Sequence, residues 1–208
     1  MNVKNWTWPL YYSQEGKPMI NYLTYYYKHG TEPFQSLSAL PDEEVIKIME
    51  ELSDDTVFGA RFKNPIQYMH NRRQTEQWVR EEFMTKGGRP QEVYPIPMVL
   101  GASKWMVKQA PDPDAHGEIR IPLSVFTEYD VSFTYPDSMI SLWFGKKKPK
   151  EYYLPDYHGK VFTLSEILSI VREKGLPEED WETNLPIDLA PYIEAQVWNH
   201  KLLERYKQ

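Results

Sequence analysis

The chain has 208 residues, 41% of them hydrophobic and 26% charged, which is too apolar a mixture for a disordered segment. Its net charge of −6 argues against nucleic acid held over the whole surface, because phosphate neutralisation needs a basic face. It contains no cysteine, so disulfides, thiolate catalysis and cysteine metal sites are excluded, and a reducing compartment suits it.

The start, Met1 to Trp6, carries no apolar leader, and no window approaches about 18 apolar residues. The expectation is a cytoplasmic protein without a membrane partner. The length fits one domain over residues 1–208, with residues 1–40 as an aromatic-rich extension packed on the core.

In chain order, the tyrosine-rich segment from Met19 to Lys28 fits a short helix closed by Gly30 or a strand, with helix the favoured reading. Pro41 and the acids Asp42, Glu43 and Glu44 open the next helix, where negative charge suits the positive end of the dipole. Val45, Ile46, Met49 and Leu52 follow at helical spacing. Asn64 as cap and Pro65 as first residue begin a longer helix that stops at Gly87-Gly88.

The period then changes from 3.6 to 2. Met98-Val99-Leu100 is a short apolar run, and Ile119, Ile121 and Leu123 alternate with polar residues or proline. Val131, Phe133 and Tyr135 form the next alternating set. After a turn at Pro136-Asp137-Ser138, Ile140, Leu142 and Phe144 predict another strand. Pro122 places its strand at a sheet edge. Thr163 with Glu166 is a capping-box pattern, opening a helix through Leu164, Ile167, Leu168 and Val171 that Gly175 ends. A final helix is predicted from about Leu189 to Tyr206. The fold class is therefore α+β: a mostly antiparallel sheet of about four strands, roughly residues 96–144, flanked by about four or five helices.

The helix over residues 64–86 carries the most unusual pattern. Its apolar stripe contains Ile66, Tyr68, Met69, Val79, Phe83 and Met84, and Arg72 and Glu76 fall in the middle of it. Arg73 and Arg80 border the stripe, and Trp78 projects from the opposite side. A charge pair on a core-facing stripe is costly unless paired and hydrogen-bonded. Either the pair fixes the docking of the helix, or the face lines a cleft. In the cleft, Arg72, Arg73 and Arg80 would hold an anion and Glu76 would act as acid or base.

Other motifs are weaker. Asp112, Asp114 and His116 begin a run like a calcium loop, with Gly117 at the sixth place. Leu123 stands where the bidentate glutamate is needed, so no metal or other cofactor is expected. Lys146, Lys147, Lys148 and Lys150, with Tyr152, Tyr153 and Tyr157 beside them, are the one basic and aromatic cluster that could touch nucleic acid. In an acidic chain they fit better as a solvated loop guarding a strand edge. His158, before a glycine and a helix start, is a candidate anion contact. Gln196 and His200 share a stripe of the final helix, where His200 fits a structural role.

No serine-nucleophile, metalloprotease, dinucleotide, phosphate-loop or kinase motif is present. With 15 tyrosines and 7 tryptophans, the leading expectation is a non-enzymatic binding or protein-interaction module with an aromatic-edged groove near Arg72 and Glu76. The alternative is a small enzyme acting on an anionic substrate through the arginines and Glu76. The partners expected are a protein, including a second copy of this chain, or an anionic small molecule.

Overall fold

Aromatic and β-branched residues at period 2 build most of a five-stranded antiparallel sheet, into which one segment of largely helix-forming composition is also drawn. The computed structural model describes residues 11–12, 18–53, 59–109, 115–177 and 191–207. The strands are β3 (Tyr22–Lys28), β4 (Ile96–Leu100), β5 (His116–Pro122), β6 (Val131–Thr134) and β7 (Glu194–Val197), in the spatial order β5-β3-β4-β7-β6. Two residues each of β1 (Tyr11–Tyr12) and β2 (Pro18–Met19) pair separately. Pro122 ends the edge strand β5, as its missing N–H requires. The α-helices among the described residues are α1 (Asp42–Leu52), α2 (Pro65–Thr85), α3 (Lys104–Gln109), α4 (Ser138–Lys147) and α5 (Leu164–Lys174).

The class is the expected α+β, but three segments differ from their predicted state. Residues 22–28 form a strand, not a helix. Tyr-Leu-Thr-Tyr-Tyr-Tyr favours a pleated surface, and all seven residues pair with β5. Residues 138–147 form a helix rather than a strand, because Asp137 Oδ1 accepts the Ile140 N–H at 3.0 Å and caps the first turn. Ser138, Ser141 and Phe144 are the positions this helix buries. The predicted final helix is replaced by β7 and two short 3-10 turns, His200–Leu202 and Glu204–Tyr206. In Glu-Ala-Gln-Val the first three residues favour helix and only Val197 favours strand; pairing with β4 on one side and β6 on the other decides it. The sheet thus reaches well outside residues 96–144.

The two faces of the sheet differ in chemistry. One face carries Leu23, Met98, Leu100, Ile121, Val131, Phe133, Ala195 and Val197, which pack with Ile167 and Val171 of α5 and with Leu203 into the main core. The alternate residues Thr24, Ser132, Thr134 and Gln196 are buried too, on the other face. There Ser132 Oγ donates to Gln196 Oε1, Gln196 Nε2 donates to Thr134 Oγ1, and Trp198 Nε1 donates to Ser132 Oγ, each at 2.9 Å. Trp198 stacks on Phe83 of α2, and Trp78 packs beside this cluster.

Helix α2 therefore lies over a sheet face that is buried yet polar. Asn64 caps it by accepting the Gln67 N–H, and Gly88 closes it with an N–H to Phe83 O, after Gly87 at φ +92°. Its buried line is Met69, Thr75, Glu76, Val79 and Phe83. Ile66 and Met84, predicted inside, are 71% and 48% exposed. Trp78, predicted on the polar side, is partly buried against Val79 and Phe83.

Candidate active site

Between the polar sheet face and the helices lies a cavity of about 1040 Å³, at the upper end of the usual size for small-molecule sites. Its floor is made by Thr24 and Tyr26 of β3, Val99 of β4 and Glu194 of β7. Helix α2 supplies Tyr68, Arg72 and Glu76, and the start of α4 supplies Asp137, Ser138 and Met139. Arg61 and Tyr192 enter from neighbouring loops.

The pair Arg72 and Glu76 forms as the four-residue spacing predicts. Arg72 Nε donates to Glu76 Oε1 at 2.9 Å and to Ser38 Oγ at 3.1 Å, which ties α2 to the turn Leu37–Ala39. Its hydrogen bonds leave from Nε alone, so both terminal Nη groups are available to the cavity. Burial works against the charge of Arg72, but Glu76 outweighs it and holds the guanidinium firmly protonated. Glu76 is 5% exposed, and its Oε2 has no hydrogen-bond partner.

A second pair of carboxylates completes the site. Glu194 is the first residue of the interior strand β7, opposite Thr134 of β6. The chain turns out of β6 through Tyr135 and Pro136, which brings Asp137 and Ser138 beside it. Glu194 Oε2 accepts the Ser138 N–H at 2.6 Å, while Asp137 Oδ2, on a residue 6% exposed, has no partner. Burial raises the Glu194 carboxyl, and the charge of Asp137 raises it further. The Ser138 N–H and Arg72 pull it back only in part, so it titrates at about 7. Burial, with Asp137 and Glu194 adding to it, holds the Tyr192 phenol well above its ordinary range. A cleft that combines orphaned buried oxygens with a carboxyl poised near neutrality can bind a polar ligand and exchange a proton with it.

The other predicted residues do not join this site. Arg73 turns toward α1, bonding Asp42 Oδ1 at 2.6 Å, Leu40 O at 3.2 Å and Ser38 O at 3.3 Å. Arg80 reaches Glu92 O at 3.4 Å. Both border a separate cleft of about 580 Å³ with Ile66, His70 and Val93, so the predicted three-arginine clamp reduces to Arg72. Trp78 belongs to the packing around Trp198.

His158 is 2% exposed, and its Nδ1 accepts the Leu154 N–H at 3.0 Å. It packs among Tyr135, Phe144 and Tyr153, and burial pushes its pKa down to about 4. It is an uncharged packing residue, not the predicted anion contact. His200 is likewise pushed down, by burial first, and lies in a 3-10 turn rather than on a helix.

Asp112 and Asp114 lie outside the described residues, and His116 is the first residue of β5. Among the described residues no three His, Asp or Glu side chains come together as a metal site. Lys146 and Lys147 end helix α4, where cations suit the negative end of the dipole, so they do not guard a strand. Tyr152 stacks on Phe144 and Tyr157 meets Tyr135 edge-on, so these rings are committed to packing rather than offered as a base-stacking platform. No described helix is long and apolar enough to cross a membrane.

Asp137 and Glu194, the residues that complete the site, were hidden by wrong local expectations. Asp137 stood in an apparent turn, though Asp before Ser-Met-Ile is also an N-cap signal. Glu194 stood in an apparent helix, where a glutamate before Ala-Gln-Val attracts no notice. Comparison with protein-family models, with curated proteins and with solved structures gave no match.

Proposed function

We propose that the chain is a small enzyme that performs acid–base chemistry on a small polar molecule held in the cleft between the sheet and α2. The observation that carries this reading is the Asp137–Glu194 pair. One carboxyl is held at about pKa 7 beside another with an unpartnered oxygen, inside a cavity large enough for a ligand. Near neutral pH, Glu194 is divided between its acid and base forms and can give or take a proton without a large energetic cost.

The roles follow from the bonds already made. Glu194 is the proton-transfer group. Asp137 raises its pKa and offers Oδ2 to the ligand. The free Nη groups of Arg72 hold an acceptor on the ligand, while Glu76 fixes the guanidinium from behind. Glu76, half of whose carboxylate is tied to Arg72, suits positioning better than proton transfer.

A thermal-shift screen of polar metabolites, followed by mass analysis of any stabilising compound after incubation, tests the reading. The expected outcome is a compound that is both bound and converted by wild type, with conversion lost in Glu194→Gln even at concentrations that saturate the variant. A compound that binds in the same cleft and is recovered unchanged supports the second reading, a non-enzymatic binding module. The density of tyrosine around the cavity favours that alternative.

A further inference from the structure

Resting on the small-molecule reading of the cleft, we infer that its ligand carries a cationic nitrogen, an amine or amidine, seated on Asp137 Oδ2 and Glu194, with an apolar body against the tyrosine wall.

Three observations lead there. First, the buried unpartnered atoms of the cavity, Glu76 Oε2 and Asp137 Oδ2, are both carboxylate oxygens, and such oxygens call for N–H donors. Second, the charges lining the cavity are unbalanced. Five carboxylates, of Glu32, Glu51, Glu76, Asp137 and Glu194, face three basic side chains, of Lys28, Arg61 and Arg72. Arg72 is already matched by Glu76 at 2.9 Å, and Arg61 lies 6.0 Å from the centre of the Trp105 ring. The uncompensated negative charge is therefore concentrated at Asp137 and Glu194, where the charge of Asp137 adds to the burial that already makes Glu194 resist ionisation.

Third, Tyr26, Tyr68 and Tyr192 line the same cavity, and aromatic faces stabilise organic cations beside them. Met106 and Met139 add adaptable apolar surface for the rest of the ligand. An anionic head would instead meet the Asp137–Glu194 pair. With Arg73 and Arg80 turned away from the cavity, it would have only the Nη groups of Arg72 and whatever Arg61 can spare. Those Nη groups suit a carbonyl or hydroxyl at the far end of the ligand.

The test uses three probes of one shape: benzylamine, benzoate and benzyl alcohol. Their binding to the full chain near pH 7 is followed by ligand-observed NMR titration. Benzylamine is expected to bind at least about tenfold more tightly than the other two, and to weaken by about tenfold in Asp137→Asn and in Glu194→Gln. Both substitutions keep the size of the side chain, and asparagine still caps α4. Circular dichroism of each variant identifies any that fail to fold, and for the comparison Glu194→Asp then replaces such a variant. Benzoate or benzyl alcohol binding as tightly as benzylamine, with loss on the same substitutions, overturns the cationic assignment but keeps the cleft as a ligand site. Benzylamine binding unaltered by the substitutions also overturns the assignment. Failure of all three probes at millimolar concentration overturns both the assignment and the small-molecule reading.

Discussion

Arg72 and Glu76 share a single hydrogen bond, Nε to Oε1 at 2.9 Å, so that one oxygen of the acid and the terminal nitrogens of the base remain for the cavity. The pair is thus structural on one side and open on the other. Its two members are not equivalent. Arg72→Met leaves Glu76 as a buried uncompensated charge and frees Ser38, which is expected to cost about 3 kcal/mol. In a chain of this size that corresponds to roughly 6 to 12 °C in melting midpoint. Glu76→Gln keeps an acceptor for Nε and should cost about half as much or less. Urea denaturation of both variants beside wild type checks the order.

The Glu194 carboxyl gives the protein a pH dependence with a defined sign. Its pKa is about 7 in the folded chain against an ordinary value of 4.5. The folded state therefore binds this proton more tightly than the unfolded state does. The resulting stabilisation is complete below about pH 4.5 and is lost as the pH rises through 7. Glu194→Gln cannot ionise, so its stability relative to wild type should rise across that window, by at most ~3 kcal/mol. Chemical denaturation at a series of pH values reads the difference directly.

The buried polar ladder on the same sheet face is a third point of test. Ser132→Ala removes the acceptor of the Trp198 indole and the donor to Gln196 together. Two buried groups left unpaired should cost about 2 to 4 kcal/mol. The emission spectrum of folded Ser132→Ala should change with it, because Trp198 loses its indole partner while still stacked on Phe83.

Backbone contact between α4 and the loop before α5 sets a fourth. A Cβ on Gly145 would stand 2.5 Å from the Cα of Gly159, which itself has φ +72°. Neither backbone can yield as a side chain would, so Gly145→Ala should lose about 1 to 3 kcal/mol in an unfolding titration.

How much of this was visible in the sequence depends on whether the signal was local. The caps of α2 and α5 are short-range chemistry, and Asn64, Thr163 and Glu166 bond as their spacing implied. So was the placement of Arg72 and Glu76 on the inner face of α2, since helical geometry alone determines it. What failed depended on distant partners. β7 is a strand because β4 and β6 flank it, and little within Glu-Ala-Gln-Val says so. The alternation at Ile140, Leu142 and Phe144 was a short pattern that one cap at Asp137 outweighed. Asp137 and Glu194 lie 57 positions apart in the chain and meet only because the turn after β6 passes the first residue of β7. A carboxylate pair assembled that way leaves no motif.

The most direct test of the account is a titration of Glu194 itself. Carboxyl carbons of ¹³C-labelled glutamate can be followed by NMR in wild type, with Glu194→Gln used to assign the resonance. The account predicts a midpoint near 7 that moves down toward the ordinary value in Asp137→Asn. A midpoint near 4.5, unaffected by that substitution, would mean that the pair is not coupled and that the cleft holds no acid–base group.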